Sequence, residues 1–283
     1  MRAIKILCSI MIFIIIIGCE NKKPNVETVE KNSQRLIQKD SAYEPVEFEL
    51  AKQMESAFMN NTYNVLFKLN MIKDREFVLS KNEWLNMCDF LSKNKQTTTI
   101  RMYFVQYNQD KFVTQKYAVL EPYNGKLYIV LGYFDNKQTL INNKYYGVFS
   151  INKTLEIDPK DLDLMHKDYK DNIKPHINQL ATTKNNTDYI KIETTDFNNQ
   201  ISLINKHNGS SGAVKVKCLR FKLAEVQNPS PLKSVKSRRY YVKKYKNQTG
   251  QLTTLTDVED VNGQKITSLS NYDMNTLCPP NCP

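Results

Sequence analysis

Val46, Leu50, Met54 and Phe58 recur at helical spacing with Ala51 and Ala57 beside them, the apolar stripe of an amphipathic helix. Pro45 is tolerated in a first helical turn, and Glu44, Glu47 and Glu49 suit the positive end of the helix dipole, so the helix is predicted to start near Glu44-Pro45. It is expected to run to about Asn60, with a strand following around Tyr63 to Leu69. Ser80-Lys81-Asn82-Glu83 has the form of a capping box and precedes Trp84, Leu85, Cys88 and Leu91, which predicts a second amphipathic helix with Cys88 buried on it. From Thr97 the period changes to two, Ile100, Met102 and Phe104 alternating with Arg101, Tyr103 and Val105. Tyr117 to Glu121 and Leu127 to Phe134 continue in β-branched and aromatic residues around the turn signal Pro122-Tyr123-Asn124-Gly125, which predicts an antiparallel hairpin or meander. Lys144 to Ser150 is a further strand candidate.

The second half of the chain starts a new helix at Asp158-Pro159, with Leu162, Met165 and Tyr169 on one face and Pro175 as the expected stop. Gln179 to Thr187 is polar and predicted to be a loop. Residues 188 to 194 and 213 to 223 are predicted strands, with a short helix from Phe197 to Lys206 between them. Val214, Val216 and Cys218 give way to Leu219, Phe221 and Leu223, and that slip in alternation predicts a β-bulge near Cys218. Asn228 to Pro231 breaks the chain, Arg239 to Lys246 is a strand candidate, and the sequence from Asn247 is polar and turn-rich. No internal repeat is legible. The pattern predicts an α+β fold, an antiparallel sheet with amphipathic helices packed on one face, in a globular region from 44 to 283 that is either one domain or two divided near 180.

The N-terminus belongs to a different regime. Arg2 and Lys5 precede an apolar core from Ile6 to Ile17, the plan of a secretory signal, and the core is shorter than the roughly 20 residues of a membrane span. Ile16-Ile17-Gly18-Cys19 resembles the lipobox of bacterial lipoproteins. That resemblance implies removal of residues 1 to 18 by cleavage after Gly18, with diacylglycerol on the thiol of Cys19 and acylation of its new amino group. Acyl chains contribute about 0.8 kcal/mol per buried CH₂, so such an anchor would hold the protein at a membrane. Glu20 stands where inner-membrane retention in some proteobacteria asks for Asp, which favours the outer membrane of the envelope. Residues 20 to 43 are polar, without an aromatic before Tyr43, and together with Cys19 they make a lipidated tether from 19 to 43.

Charge and cysteines narrow the partners. The formal net charge is +11 and stays positive once Arg2 and Lys5 are removed, which favours anionic neighbours such as a glycan, a lipid headgroup or an acidic envelope protein. Export makes nucleic acid an unlikely partner. Cys88, Cys218, Cys278 and Cys282 remain for disulfides in an oxidising envelope, and their pairing is open. Lys236, Arg238, Arg239 and Lys243 interleave with Tyr240, Tyr241 and Tyr245, a candidate surface for an anionic ligand that reads more readily as a solvated edge strand protected by its lysines.

Catalytic signals are few. Asp158, Asp161, Asp163, Asp168 and Asp171 surround His166 in sequence, but Lys167 and Lys170 interleave with them as on a solvated helix face. Gly209-Ser210-Ser211-Gly212 beside His207 reads as a flexible turn, and His176 completes the histidines. No cofactor motif and no metal-ligand set is present in the sequence. Ile100-Arg101-Met102-Tyr103-Phe104 and Cys278-Pro279-Pro280-Asn281-Cys282 resemble uncharacterised lipoproteins of Bacteroidota that combine such a strand with such a terminus. The resemblance implies an envelope location and brings no activity. The expectation is therefore a membrane-anchored lipoprotein with a non-catalytic binding or scaffolding role; the alternative is an envelope hydrolase whose pocket gathers His166 or His207 with carboxylates. Replacing Cys19→Ala is expected to abolish metabolic labelling with palmitate, and labelling equal to wild type would remove the anchor.

Overall fold

Two antiparallel sheets carry the fold of the computed structural model, which describes residues 46–113, 116–148, 155–228, 242, 245, 247–270 and 275–278, the last four as backbone alone. The chain begins with α1 (Phe48–Phe58), a π turn (Met59–Tyr63) and α2 (Asn64–Lys68), then β1 (Glu76–Ser80), α3 (Lys81–Lys93), β2 (Thr97–Gln106), β3 (Leu127–Asp135), β4 (Leu140–Gly147) and β5 (Leu155–Ile157). It continues with α4 (Pro159–Asp168), a second π turn (Tyr169–Ile173), α5 (Lys174–Asn178), β6 (Tyr189–Glu193), α6 (Thr194–Gly209), β7 (Val216–Glu225), β8 (Leu252–Asp260) and β9 (Asn275–Cys278). The first sheet has the order β1-β7-β8 and the second β5-β4-β3-β2-β6-β9. The architecture is α+β, with two sheets in place of the single one expected.

The two halves of the chain are built on one plan. In each, a helix interrupted by a π turn leads into a short strand, a helix and a long hairpin. Their registers coincide: Glu76 faces Lys222 and Ser80 faces Cys218 in the first sheet, while Tyr189 faces Tyr103 and Glu193 faces Thr99 in the second. Cys218 opposite Glu259 corresponds to Thr99 opposite Phe134, and each hairpin slips register at the same place, between Val216 and Cys218 and between Thr97 and Thr99. The turns that follow also match. The carboxylate of Asp135 accepts from the backbone of Lys137 and Thr139, that of Asp260 from Asn262 and Gln264, and the fourth residue of each turn has positive φ, 64° at Gln138 and 80° at Gly263. At the π turns, Asn61 donates to Glu225 at 2.9 Å and Asn172 donates to Gln106 at 2.8 Å.

The short strands are exchanged. β1 leaves its own half to pair with β7, and β6 pairs with β2, so both sheets contain strands from before and after residue 180. The repeat escapes sequence inspection because it is conserved in register and burial, with little identity: Glu83, Trp84, Met87 and Leu91 of α3 are matched by Asp196, Phe197, Gln200 and Ile204 of α6, all buried.

Several expectations hold. The Ser80 capping box forms, with Glu83 Oε2 accepting from the Ser80 backbone at 2.7 Å, and the bulge near Cys218 is present. Others are corrected. Tyr63 to Leu69 is helical, because the π turn adds a residue and keeps Thr62 and Leu66 on the buried stripe of Leu50, Met54 and Phe58. Pro175 does not end its helix; it falls just after the second π turn, where the widened backbone has already interrupted the hydrogen-bond ladder that proline would break. Ala118–Tyr123 is a 3₁₀ helix, so β3 pairs with β2 instead of with that stretch. β8 was missed, since Thr253, Thr254, Thr256, Asp257 and Glu259 read as a polar loop yet are buried.

Asn186 locks the second half. It is fully buried, its amide donates to the carbonyls of Ile177 and Gly250, and its Oδ1 accepts from the backbone of Thr187 and Leu252. A buried group left without its partner costs about 1–3 kcal/mol, so Asn186→Ala is expected to lower stability by at least about 3 kcal/mol, read as a lower urea midpoint at unchanged slope. A midpoint equal to wild type would show that these bonds do not hold the segment.

Candidate functional site

A groove of about 820 Å³ opens between the first helix, the β2–β3 connection and β7. One wall is the helix, with Glu55, Phe58, Met59 and Tyr63; the other is the β2–β3 connection, with Val119, Pro122 and Tyr123. Lys73 to Glu76 run along it into β1, and Lys222 and Leu223 of β7 close the floor. Lys73 and Arg75 are both exposed, while Asp74 between them is half-buried.

The groove joins cations to aromatic rings. The Lys73 ammonium stands 4.5 Å from the centroid of Tyr123, and the Arg75 guanidinium 6.0 Å from that of Tyr63. Tyr63 stacks in turn on Phe67 at 5.5 Å, and Phe67 is 61 % exposed. Among the described residues no carboxylate forms an ion pair with Lys73 or Arg75: Asp74 accepts from the Tyr123 hydroxyl, Glu55 binds Lys222 at 2.6 Å, and Glu76 binds Arg220. Burial and the Asp74 carboxylate hold the Tyr123 hydroxyl protonated. Burial opposes the charge on Lys222, but Glu55 and Asp257 outweigh it and keep its pKa above the ordinary value.

The repeat supplies an internal comparison. The stretch before β6 occupies the place of Lys73-Asp74-Arg75, since Leu223 donates to the Arg75 carbonyl just as Phe104 donates to that of Asp188. In that half the place is closed: Asn186 and Thr187 are fully buried against residues 250 to 252, and Asp188 binds Lys174 at 2.5 Å. Only the first half leaves this position open and positive. A second crevice, about 170 Å³ between α3 and strands β3 and β4, is apolar apart from Glu83, Asn86 and the tyrosines; desolvation raises the Glu83 pKa against its Ser80 bonds.

The residues singled out from sequence lie elsewhere. Gly18, Cys19, Lys236, Arg238, Arg239, Tyr241, Lys243 and Cys282 fall outside the described residues. Among the described residues Cys88 is a half-buried and Cys218 a buried free thiol, and the side chains of Cys278 and Cys282 lie outside them; desolvation pushes the Cys88 pKa up to about 11 and also raises that of Cys218. The backbone of Cys278 pairs with Tyr189, which itself faces Tyr103. The strand Ile100 to Phe104 and the start of the Cys-Pro-Pro-Asn-Cys segment thus share one sheet.

The acidic cluster around His166 is dispersed among lysines. Hydrogen bonds from Lys116 and Lys144 draw Asp158 down to about 2, Lys116 also binds Asp161, and Asp168 takes Lys111 and Asn108. His166 Nδ1 lies 2.9 Å from the Phe104 carbonyl, and burial lowers its pKa. His207 Nε2 meets the Val214 carbonyl at 2.9 Å, and Ser210 donates to Lys206. No group of three potential metal ligands occurs among the described residues, and none of their helices is long and apolar enough to cross a membrane. The groove went unnoticed in the sequence because Lys73, Arg75, Tyr63 and Tyr123 come from three separate segments; Lys73-Asp74-Arg75 was the local trace. Comparison with family models, with curated proteins and with solved structures finds no match for the chain.

Proposed function

We propose that the protein is an envelope lipoprotein, held at a membrane through Cys19, that binds an anionic partner through the groove of its first half. The observation that carries the reading is the pair Lys73 and Arg75, set against Tyr123 and Tyr63 without a carboxylate of their own among the described residues. An ammonium or guanidinium lying on a ring keeps its charge and an exposed edge, so an incoming phosphate or carboxylate gains ion pairing at little further cost in side-chain ordering. The closed counterpart at Asn186 to Asp188 supports a role for the opening itself, because the same backbone plan is filled where no site is needed. The lipobox supports the location, and the polar stretch before the folded unit gives it reach from the bilayer. A binding role is favoured over hydrolysis because His166 and His207 are engaged with backbone carbonyls and no histidine lines the groove.

The test compares the lipidated wild-type protein with a Lys73→Glu/Arg75→Glu variant in pull-downs from solubilised envelopes. Two exposed pairs at up to about 1 kcal/mol each correspond to a loss of up to roughly thirtyfold in affinity for the partner, and wild-type recovery should fall as salt is raised. Equal recovery by the variant, or recovery indifferent to salt, would overturn the reading.

A further inference from the structure

Arg101 on β2 and Arg220 on β7 hold the same place in the two halves of the repeat. Arg101 faces Gly132 and Lys191 across its sheet, and Arg220 faces Asp257 and Val78 across the other. Their surroundings differ in kind. Arg220 lies between two carboxylates: Nη1 donates to Glu76, and both Nε, at 2.7 Å, and Nη2 donate to Glu259. The registers put Tyr189 where Glu76 stands and Phe134 where Glu259 stands, and the Arg101 guanidinium rests on those rings, 4.2 Å from the centroid of Phe134 and 5.2 Å from that of Tyr189.

The exchange extends to the neighbours. Lys222, bound to Glu55 and Asp257, is replaced by Tyr103, and Asp257 is replaced by Gly132. Gly132 is needed for this packing, since a Cβ there would come within 2.6 Å of the Tyr145 ring. Tyr103 meets Tyr145 edge to face at 5.7 Å and Tyr189 at 5.2 Å, gathering three phenols beside one guanidinium. Of the nearby charges, Lys191 is paired with Glu193 at 3.0 Å, and Asp163 acts on the Tyr145 hydroxyl from α4. Arg101 itself donates to Gln138 and to the Tyr103 hydroxyl, its Nε is buried without a hydrogen-bond partner, and it forms no ion pair with a described residue. One arginine of the pair is thus fully neutralised from within, and the other retains its charge on an aromatic platform.

We propose that this face of the second sheet is a binding site for a carboxylated sugar, separate from the groove. The twin points to the anion: carboxylates neutralise the guanidinium of Arg220, whereas rings fill the equivalent positions beside Arg101, so an incoming carboxylate would supply the charge partner that Arg101 lacks. The rings identify the body that carries it. Tyr189 and Tyr145 are partly exposed, and aromatic faces of this kind take the C–H face of a sugar ring while their hydroxyls exchange hydrogen bonds with its own. No bond is made or broken.

The test is titration calorimetry of the lipidated protein in detergent with short galacturonate oligomers, neutral galactose oligomers and inorganic phosphate. The galacturonate oligomer should bind, and the other two should not compete with it. Arg101→Gln should weaken binding roughly thirtyfold, the loss of a charge-assisted pair. The Phe134→Glu/Tyr189→Glu variant, which rebuilds the ion pairs of Arg220 around Arg101, should keep the thermal midpoint near wild type and abolish binding. It serves as the test if Arg101→Gln does not fold. Lys73→Glu/Arg75→Glu should bind as wild type, which separates this site from the groove. The proposal is overturned by absence of galacturonate binding, by equal affinity for the neutral oligomer or phosphate, by binding that survives both Arg101→Gln and the carboxylate rebuild, or by loss in the groove variant alone.

Discussion

The exchange of β1 and β6 is the constraint on which the rest of the structure depends. A strand of five residues offers few hydrogen bonds of its own, and an isolated two-stranded hairpin is marginal in water. By lending β1 to β7 and β6 to β2, each half completes a sheet that it cannot finish alone. The helices follow their strands: α1 lies on β7, and α4 on β2. Neither half therefore has a self-sufficient core, and the buried residues from Val46 to Leu269 form one cluster. Register is enforced twice, because a slip of one residue would turn the buried positions of both β1 and β6 to the wrong face.

The π turns belong to the same constraint. Each opens the helix where it crosses the end of the long strand of the other half, and each presents an asparagine to a side-chain oxygen there, Asn61 to Glu225 and Asn172 to Gln106. Thr62 donates to Glu225 as well, and together these bonds oppose the desolvation that raises the Glu225 pKa. A buried carboxylate is tolerated there because its acceptors are occupied. At the second π turn a neutral glutamine, Gln106, does the same work, so the geometry, not the charge, is what the junction requires.

What was legible in the sequence was local. Apolar spacing located α1, α3 and α4, each burying one face, while alternation located β2, β6 and β7 and a run of β-branched and aromatic residues located β3, which is buried along nearly its whole length. What was not legible depended on partners far along the chain. β8 reads as a polar loop until Arg220, Lys222 and Lys265 are set against Glu259 and Asp257. Tyr63 to Leu69 reads as a strand until the π turn is known, since a widened turn leaves no mark in composition. Arg101 was visible as part of a strand motif, but that its carboxylates had been replaced by rings required the register of both sheets. Lys73 and Arg75 likewise gain meaning only from the closed counterpart at Asn186 and Asp188.

The two faces built around Arg101 and Arg220 show how one frame accommodates opposite solutions to the same problem. A half-buried guanidinium must recover the hydration it gives up. Around Arg220 the recovery comes from Glu76 and Glu259, at the cost of desolvating those carboxylates as well, and the result is a self-contained network. Around Arg101 it comes from the quadrupoles of Phe134 and Tyr189, which attract the cation without cancelling its charge. The first arrangement leaves no charge to offer outward. The second keeps a positive charge beside the partly exposed rings of Tyr145 and Tyr189. Because backbone registers are the same in both, the difference lies in the side chains alone: Phe134 and Tyr189 stand in place of Glu259 and Glu76, and Gly132 and Tyr103 in place of Asp257 and Lys222. With two copies of the frame, the neutralised one braces its sheet through ion pairs and the other through stacked rings.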